Sequence, residues 1–490
     1  VSRTSPYQGL RLSVFQVAPL FAGSAHGGAQ AILTEMLRHF SSLGVQVTVH
    51  CTWRRDNPDE FELFPGVRVR PVLRFKETYP EPYWTSPYHL ADIIDTLRRA
   101  AEDHDVFYVH DSQLHFKFAG AQRPTVAAVH DLVYGDSMSG ALEFTRDRLI
   151  AVSDYLGACL HELFRRFRPL DDDSLFVVNN GFAERFAPTD PAGMRARLGL
   201  PEDAVAILYP HRPDPDKGLY DALLAVQQLK SRLPADTYAR VRLLVPIWQD
   251  THLVENSTQI QQTLYPEAQQ YADGLGVADK LHLHPWVPMA DMAAYYAVGA
   301  ATLCVGTFPE AFGNVHVESM LSGTPAVLAR VAAQRTTVPE ELTRKVDPKD
   351  TEAVADHLAE IIGKGERTGP ELRALLRDRF GLAQMLRGYE RALLECERGP
   401  ERPLGPLAGP ITDETRLAVP PWAAPLRAGY YHDYTGYHRD DEGFVRCVPE
   451  LSAGTTVGEL GRRSGVGHAD VARWLRDGLV VSDPLVAAHR

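Results

Sequence analysis

The feature that most limits what this chain can fold into is a two-beat pattern that runs through its first third and then starts again. Short runs of Val, Leu and Ile stand at residues 12–18, 45–51, 67–73, 106–109, 125–129, 149–152 and 175–178. Between them lie longer stretches with helical spacing. Residues 29–40 put Ile32, Leu33, Met36, Leu37 and Phe40 on one face, and 88–101 and 154–167 read the same way. Near-continuous apolar strands alternating with amphipathic helices predict a parallel sheet covered on both faces. After a linker-like stretch at 187–193 the beat resumes. Strands are expected at 205–209, 241–245, 281–283, 302–305 and 326–329, and helices near 219–233, 268–275, 289–298 and 315–322.

Size agrees with two such units. A chain of 490 residues is too long for one core, since domains run to roughly 100–200 residues. Helical patterns at 351–362 and 370–397 lead into a Pro/Gly-rich break. The expected organisation is therefore α/β: two Rossmann-like doubly wound domains facing a cleft, at 1–185 and 186–398, with the last helix a candidate to cross back to the first domain. A linker at 399–410 and a small, mostly helical, winged or helix-turn-helix-like module at 411–490 follow.

Charge narrows the partners. A formal net charge of -12 argues against a protein that binds nucleic acid by neutralising phosphates, or one that clings to anionic lipid. Five scattered cysteines without a C-x-x-C pair fit buried thiols in a reducing compartment better than disulfides or zinc, so no metal site is expected. No run of about 18 apolar residues occurs, and the first residues carry no apolar leader, so the expectation is a cytoplasmic protein.

Four motifs carry chemistry, each at the end of an expected strand, where ligands of such sheets bind. The first is Glu310-Ala-Phe-Gly-Asn-Val-His-Val-Glu318. Gly313 lets backbone approach a ligand, and the N–H groups of a helix start, from Phe312 and Gly313 to Asn314 and Val315, suit a phosphate. Glu310 would stand on the loop and Glu318 one turn inside the helix. The second is Tyr209-Pro-His-Arg-Pro-Asp-Pro-Asp-Lys-Gly218, where Arg212 and Lys217 could neutralise a diphosphate. The competing reading is a basic loop paired with Asp214 and Asp216. In the third, Gly27 and Gly28 open the first helix; it is neither G-x-G-x-x-G nor a Walker loop. The fourth is a pair of rivals, His110-Asp111 and His130-Asp131, each ending a strand. A lone histidine is more often structural.

Together these motifs resemble glycosyltransferase family 4, a group of retaining GT-B enzymes, over about residues 12–396. Arg-x4-Lys-Gly and Glu-x7-Glu are the specific marks; Ala151-Val-Ser-Asp-Tyr155 and Val177-Val-Asn-Asn-Gly181 support them. The resemblance implies a transferase that moves a hexose or amino-hexose from a nucleotide diphosphate sugar, UDP first and GDP second, without a metal. It implies that Arg212 and Lys217 hold the diphosphate, Glu310 the donor sugar, Glu318 the ribose, His130 the sugar site, and the amides at Gly28 and 313–315 the remaining oxygens. The reaction it implies is a front-face substitution through an oxocarbenium-like state, with Glu310 positioning rather than attacking. The sequence departs from the pattern at His211 and Pro213, which flank the arginine, and at His284-Pro-Trp, where glycine is common.

The acceptor is expected on the first domain, against an aromatic wall with Tyr83 and Trp84 and beside His110 and Asp111. A soluble acceptor, such as a sugar, an aminocyclitol or another secondary-metabolite scaffold, fits helices without a dense basic face. In 401–490, ten Lys and Arg against twelve Asp and Glu point away from DNA and toward a protein partner, a homodimer contact or packing on the main body. The competing functions are a sugar-nucleotide epimerase, a phosphorylase, a silent recognition protein, and a transferase whose module selects a peptide, protein or nucleic acid.

Overall fold

A computed structural model describes residues 5–22, 27–75, 85–111, 114–120, 122–133, 135–143, 148–166, 173–247, 254–400 and 409–483, with backbone alone at 136 and 254–262. Tyr83 and Trp84 lie outside these residues.

Eight strands form the first sheet: β1 (Arg11–Phe15), β2 (Gln46–Thr52), β3 (Phe61–Phe64), β4 (Val67–Leu73), β5 (Val106–His110), β6 (Thr125–Val129), β7 (Arg148–Ala151) and β8 (Leu175–Val177). Their order is β3-β4-β2-β1-β5-β6-β7-β8, parallel except where β3 pairs antiparallel with β4 at the edge. Every residue of β5 and β6 is buried, as a strand covered by helices on both faces requires. In this sheet β3 escapes the sequence pattern, as Arg344–Val346 does in the second sheet; the four residues of β3, Phe-Glu-Leu-Phe, are too few to show a period.

The second sheet has six parallel strands: β9 (Val205–Leu208), β10 (Val241–Ile247), β11 (Leu281–Pro285), β12 (Ala301–Cys304), β13 (Ala326–Ala329) and β14 (Arg344–Val346), in the order β11-β10-β9-β12-β13-β14. Strand order reverses between β1 and β5 in the first sheet and between β9 and β12 in the second. A crevice opens at each reversal because successive connections leave to opposite faces of the sheet.

Two chain segments join the domains side by side. Phe182 N–H donates to the Phe380 carbonyl at 2.8 Å, and Leu382 N–H returns a bond to Phe182 at 3.1 Å. The helical pattern at 370–397 is broken here. Helix Pro370–Phe380 ends at Gly381, whose backbone is extended (φ -68°, ψ 138°), and helix Leu382–Tyr389 restarts and tightens into a π turn at Glu390–Leu394. That second piece carries Met385, Tyr389, Ala392, Leu393 and Leu394 into the core of the first domain.

The C-terminal residues form two three-stranded sheets as well as helices. β15 (Arg416–Ala418), β19 (Thr455–Thr456) and β20 (Val481–Asp483) make one; β16 (Ala423–Leu426), β17 (Gly429–His432) and β18 (Gly436–His438) make the other. Helices Glu442–Ala453, Val457–Ser464 and His468–Arg476 pack Phe444, Leu460, Val471 and Trp474 between them. A capping box at Thr456 and Glu459 fixes the start of the middle helix. Among the described residues the module is three helices with two small sheets beside them, helix still outweighing strand.

Candidate active site

The loops at the second-domain reversal meet because two glycines stand back to back. A Cβ on Gly306 would lie 2.3 Å from the Asp216 carbonyl oxygen, and one on Gly218 would lie 2.8 Å from the Gly306 nitrogen. Gly218 also holds φ +88°, a conformation that favours glycine. The contact is closed by Thr307 and Phe308 N–H groups, which donate to Asp216 O at 2.8 and 2.9 Å. Lys217, from the loop after β9, thereby meets Glu310, from the loop after β12: Nζ donates to Oε1 at 2.6 Å. The ammonium also lies 3.6 Å from the centre of the Phe308 ring. Burial alone would raise the Glu310 carboxyl; the Lys217 charge and hydrogen bond outweigh it and hold the group below its usual range. Arg212 stands on the exposed rim of the same loop.

After Glu310 the chain turns at Gly313 (φ +82°) into helix Asn314–Leu321. A Cβ there would press 2.9 Å from the ring of His316, which is itself tied to Thr337 Oγ1 at 2.7 Å. The Phe312 side chain is buried. It packs on Phe182 and Phe380, both at the interdomain crossing, with ring centres 5.8 and 5.1 Å away. Glu318 is buried and accepts a hydrogen bond from the Tyr296 hydroxyl at 2.8 Å. Burial pushes its carboxyl up to about 7, against the pull of that bond.

The first domain contributes the opposite wall. Helix Gly28–Ser42 starts directly across from helix Asn314–Leu321: a Cβ on Gly28 would come within 2.7 Å of Asn314 Nδ2. Asn180 Nδ2, at the crossing, donates to Asn314 Oδ1 at 3.0 Å. Two helix N-termini, each with free N–H groups and partial positive charge, converge on one space. Gly27 and Gly28 are exposed there.

The two His-Asp pairs part company. His110 is fully buried and used at both nitrogens, by the Tyr108 hydroxyl at 2.8 Å and by the Ala29 carbonyl at 3.0 Å. His130 packs edge-on against it, ring centres 4.6 Å apart, and its Nε2 is buried without a partner. Burial lowers the pKa of His130 to about 4, so the ring is neutral near pH 7. Asp111 holds φ +56°, an uncommon backbone for a residue with a side chain. Burial raises Asp131 to about 7; the charges of Asp111 and Glu310 push it the same way, while the Val133 N–H and Lys217 oppose them.

Tyr296 and Phe308 border the site outside the motifs, whereas His211 and Asp131 lie within motifs whose spacing gives them no role. His211 bonds the Leu303 carbonyl at 3.1 Å and burial lowers it to about 4. For Phe308, His211 and Asp131 the available signal was position near a strand end; Tyr296, near the end of helix Met292–Val298, carried none.

Comparison with known proteins places this geometry. The Glycosyltransferase Family 4 profile matches residues 26–184, and Glycosyl transferases group 1 matches 192–374. A D-inositol 3-phosphate glycosyltransferase from Frankia alni is 30% identical over 369 residues, 69% of this chain and 86% of that protein. Its counterpart from Acidothermus cellulolyticus is 28% identical over 365 residues, 70% and 79% of the two chains. Among solved structures, sucrose-phosphate synthase from Thermosynechococcus elongatus superposes with TM-score 0.60 at 18% identity, covering 78% of this chain and 98% of that one. Anabaena HepE in complex with UDP-glucose gives 0.58 at 18%, covering 77% and 97%. The chain belongs to the family 4 glycosyltransferases of GT-B fold.

Proposed function

We propose that this family 4 glycosyltransferase moves a hexose or amino-hexose from a UDP-sugar to a soluble, hydroxyl- or amine-bearing ring acceptor, retaining configuration and using no metal. The observation that carries this reading is the Lys217–Glu310 pair, 2.6 Å apart at the strand reversal and opposite the start of helix Gly28–Ser42. A carboxylate held ionised beside one movable cation can exchange that cation for a ligand. When a diphosphate enters, Lys217 and Arg212 turn to its oxygens, and Glu310 is released toward the sugar hydroxyls. The N–H groups at Gly28 and at 313–315 take the remaining phosphate charge. Glu318 accepts from a ribose hydroxyl, and neutral His130 lines the sugar site. The bond from the anomeric carbon to the diphosphate oxygen breaks while the acceptor oxygen bonds the same face. The acceptor proton passes to the departing phosphate oxygen, so Glu310 positions and stabilises charge.

The acceptor side is acidic. Asp111 and Asp131 beside His130 favour neutral hydroxyls or an amine. The two relatives above are named for an inositol phosphate, and HepE was solved with UDP-glucose; these names support a cyclitol-like or sugar ring and a UDP donor.

A thermal-shift series with UDP, GDP and TDP and their sugars, followed by release of free nucleotide with and without ring acceptors, tests the proposal. UDP at a hundred times its Kd should add about 2.7 kcal/mol to the native state. UDP release should depend on acceptor. No shift with any nucleotide would reject the donor site, and an altered sugar nucleotide formed without acceptor would favour an epimerase.

A further inference from the structure

The C-terminal module lies beyond residue 374, where the second family match ends, yet it is docked on the seam between the two domains. Its anchor is Asp433, in the turn between β17 and β18. That carboxylate is fully buried and takes four hydrogen bonds: from the Tyr155 hydroxyl of the first domain at 2.8 Å, from Ala332 N–H of the second at 3.0 Å, and from Arg335 at 2.6 and 2.7 Å. Tyr431 and Trp422 of the module pack in one apolar cluster with Tyr155, Cys159 and Val331. Leu132, the residue directly after His130-Asp131, packs against the same cluster.

The position of the next residue follows from that anchor. With Asp433 locked, Tyr434 has little freedom: its N–H donates to His432 Nδ1 at 3.2 Å, and its ring lies edge-on to the His432 ring. Even so the residue stays 44% exposed, in a module whose other large aromatic rings are mostly buried. Burial of the phenol raises it, the charges of Cys159, Asp433 and Asp131 add to the effect, and a hydrogen bond with Tyr155 opposes it. Ala332 N–H holds Asp433 while the next N–H, of Ala333, donates to the Glu310 carbonyl at 3.2 Å, and Leu132 follows Asp131 into the same cluster, so Tyr434 stands at the edge of the cleft between Glu310 and the first domain.

We infer that the C-terminal module completes the acceptor subsite, with Tyr434 as a specificity-determining residue that presents its ring to a polyhydroxylated ring acceptor and closes the mouth to water. The inference rests on the glycosyl-transfer reading above. The C–H face of a sugar or cyclitol stacks on an aromatic ring, and the phenol can exchange a hydrogen bond with a ring hydroxyl. The module thus acts in cis, and its negative net charge suits this role better than a nucleic-acid contact would.

The full-length chain with UDP-glucose tests it, comparing wild type, Tyr434→Ala and Tyr434→Phe. The rise in melting temperature caused by UDP should be equal in all three, because the diphosphate is assigned to Lys217, Arg212 and the two helix starts and not to Tyr434. Tyr434→Ala should hydrolyse UDP-glucose roughly threefold faster in the absence of acceptor, as water gains access. With a ring acceptor that supports transfer in wild type, its acceptor KM should rise about tenfold at constant donor KM, and Tyr434→Phe should recover most of that loss. Wild-type hydrolysis and acceptor KM in Tyr434→Ala would overturn the inference. A wild type that neither binds UDP nor releases it from UDP-glucose rejects the parent reading instead, and takes this one with it.

Discussion

Two ion pairs in this molecule have the same 2.6 Å closest contact and opposite characters. Lys217–Glu310 lies at the cleft, with its side chains 13% and 26% exposed; Glu310 takes its one hydrogen-bonded cation from a lysine whose other neighbour is an aromatic face. Arg335–Asp433 lies at the seam, where the carboxylate is wholly buried and saturated by four donors from two domains. A planar guanidinium gripping both carboxylate oxygens cannot be exchanged without leaving a buried charge unmatched. A lysine on a flexible stem can swing to another anion. The contrast separates a pair built to yield from a pair built to hold, and separation alone does not reveal it.

Breaking the holding pair should produce the largest effect. Asp433→Ala strands Arg335 and is expected to cost about 3–5 kcal/mol in a denaturant titration. A loss below 1 kcal/mol would put the seam out of the stability account. Breaking the yielding pair should act on chemistry. Glu310→Ala and Lys217→Ala should each lower turnover at least tenfold, about 1.4 kcal/mol or more, with melting temperatures close to wild type. Near-normal rates in either would sink the site assignment.

Glu318 sharpens the comparison, as a buried carboxylate whose hydrogen bond among the described residues comes from the neutral Tyr296 hydroxyl. Its native pKa of about 7 lies above that of an unfolded glutamate, so burying the ionised form opposes folding above pH 7. The opposition fades as pH falls through 7 and vanishes below about 4.3, where both states are protonated. Glu318→Gln should therefore raise stability on the order of 2 kcal/mol at pH 8 and leave it unchanged near pH 4, while weakening UDP binding. Equal stability at pH 8 would show that the site already pays no penalty for the charge. The smallest effects separate the two histidines. His110→Ala should cost about 1–3 kcal/mol of stability through its orphaned partners. His130→Ala should instead lower turnover by roughly threefold to tenfold with little change in melting temperature.

The alternation of apolar strand and amphipathic helix was enough to read both sheets except β3 and β14 at their edges, because buried parallel strands leave a nearly unbroken hydrophobic trace. Boundaries were looser. The helical pattern at 370–397 hides the break at Gly381, since the residues on either side keep helical spacing while the backbone turns to cross domains. The four motifs named Lys217, Glu310, Glu318 and the opening glycines, as local spacing can. Motif spacing left His110 and His130 as equals; only the partners at each nitrogen tell them apart.

Strand beat, chain length and the charged motifs at strand ends were enough to specify two doubly wound domains and the groups gathered between them, because periodicity and strand-end position are local properties that any such sheet imposes. The convergence of the helix starts at Gly28 and Asn314, the exchangeable state of Lys217–Glu310, and the placement of Asp433 and Tyr434 on the seam belong to the tertiary structure. Each joins residues at least 90 positions apart. Whether such groups meet depends on packing and hydrogen bonds at a distance, which no local pattern of residues encodes.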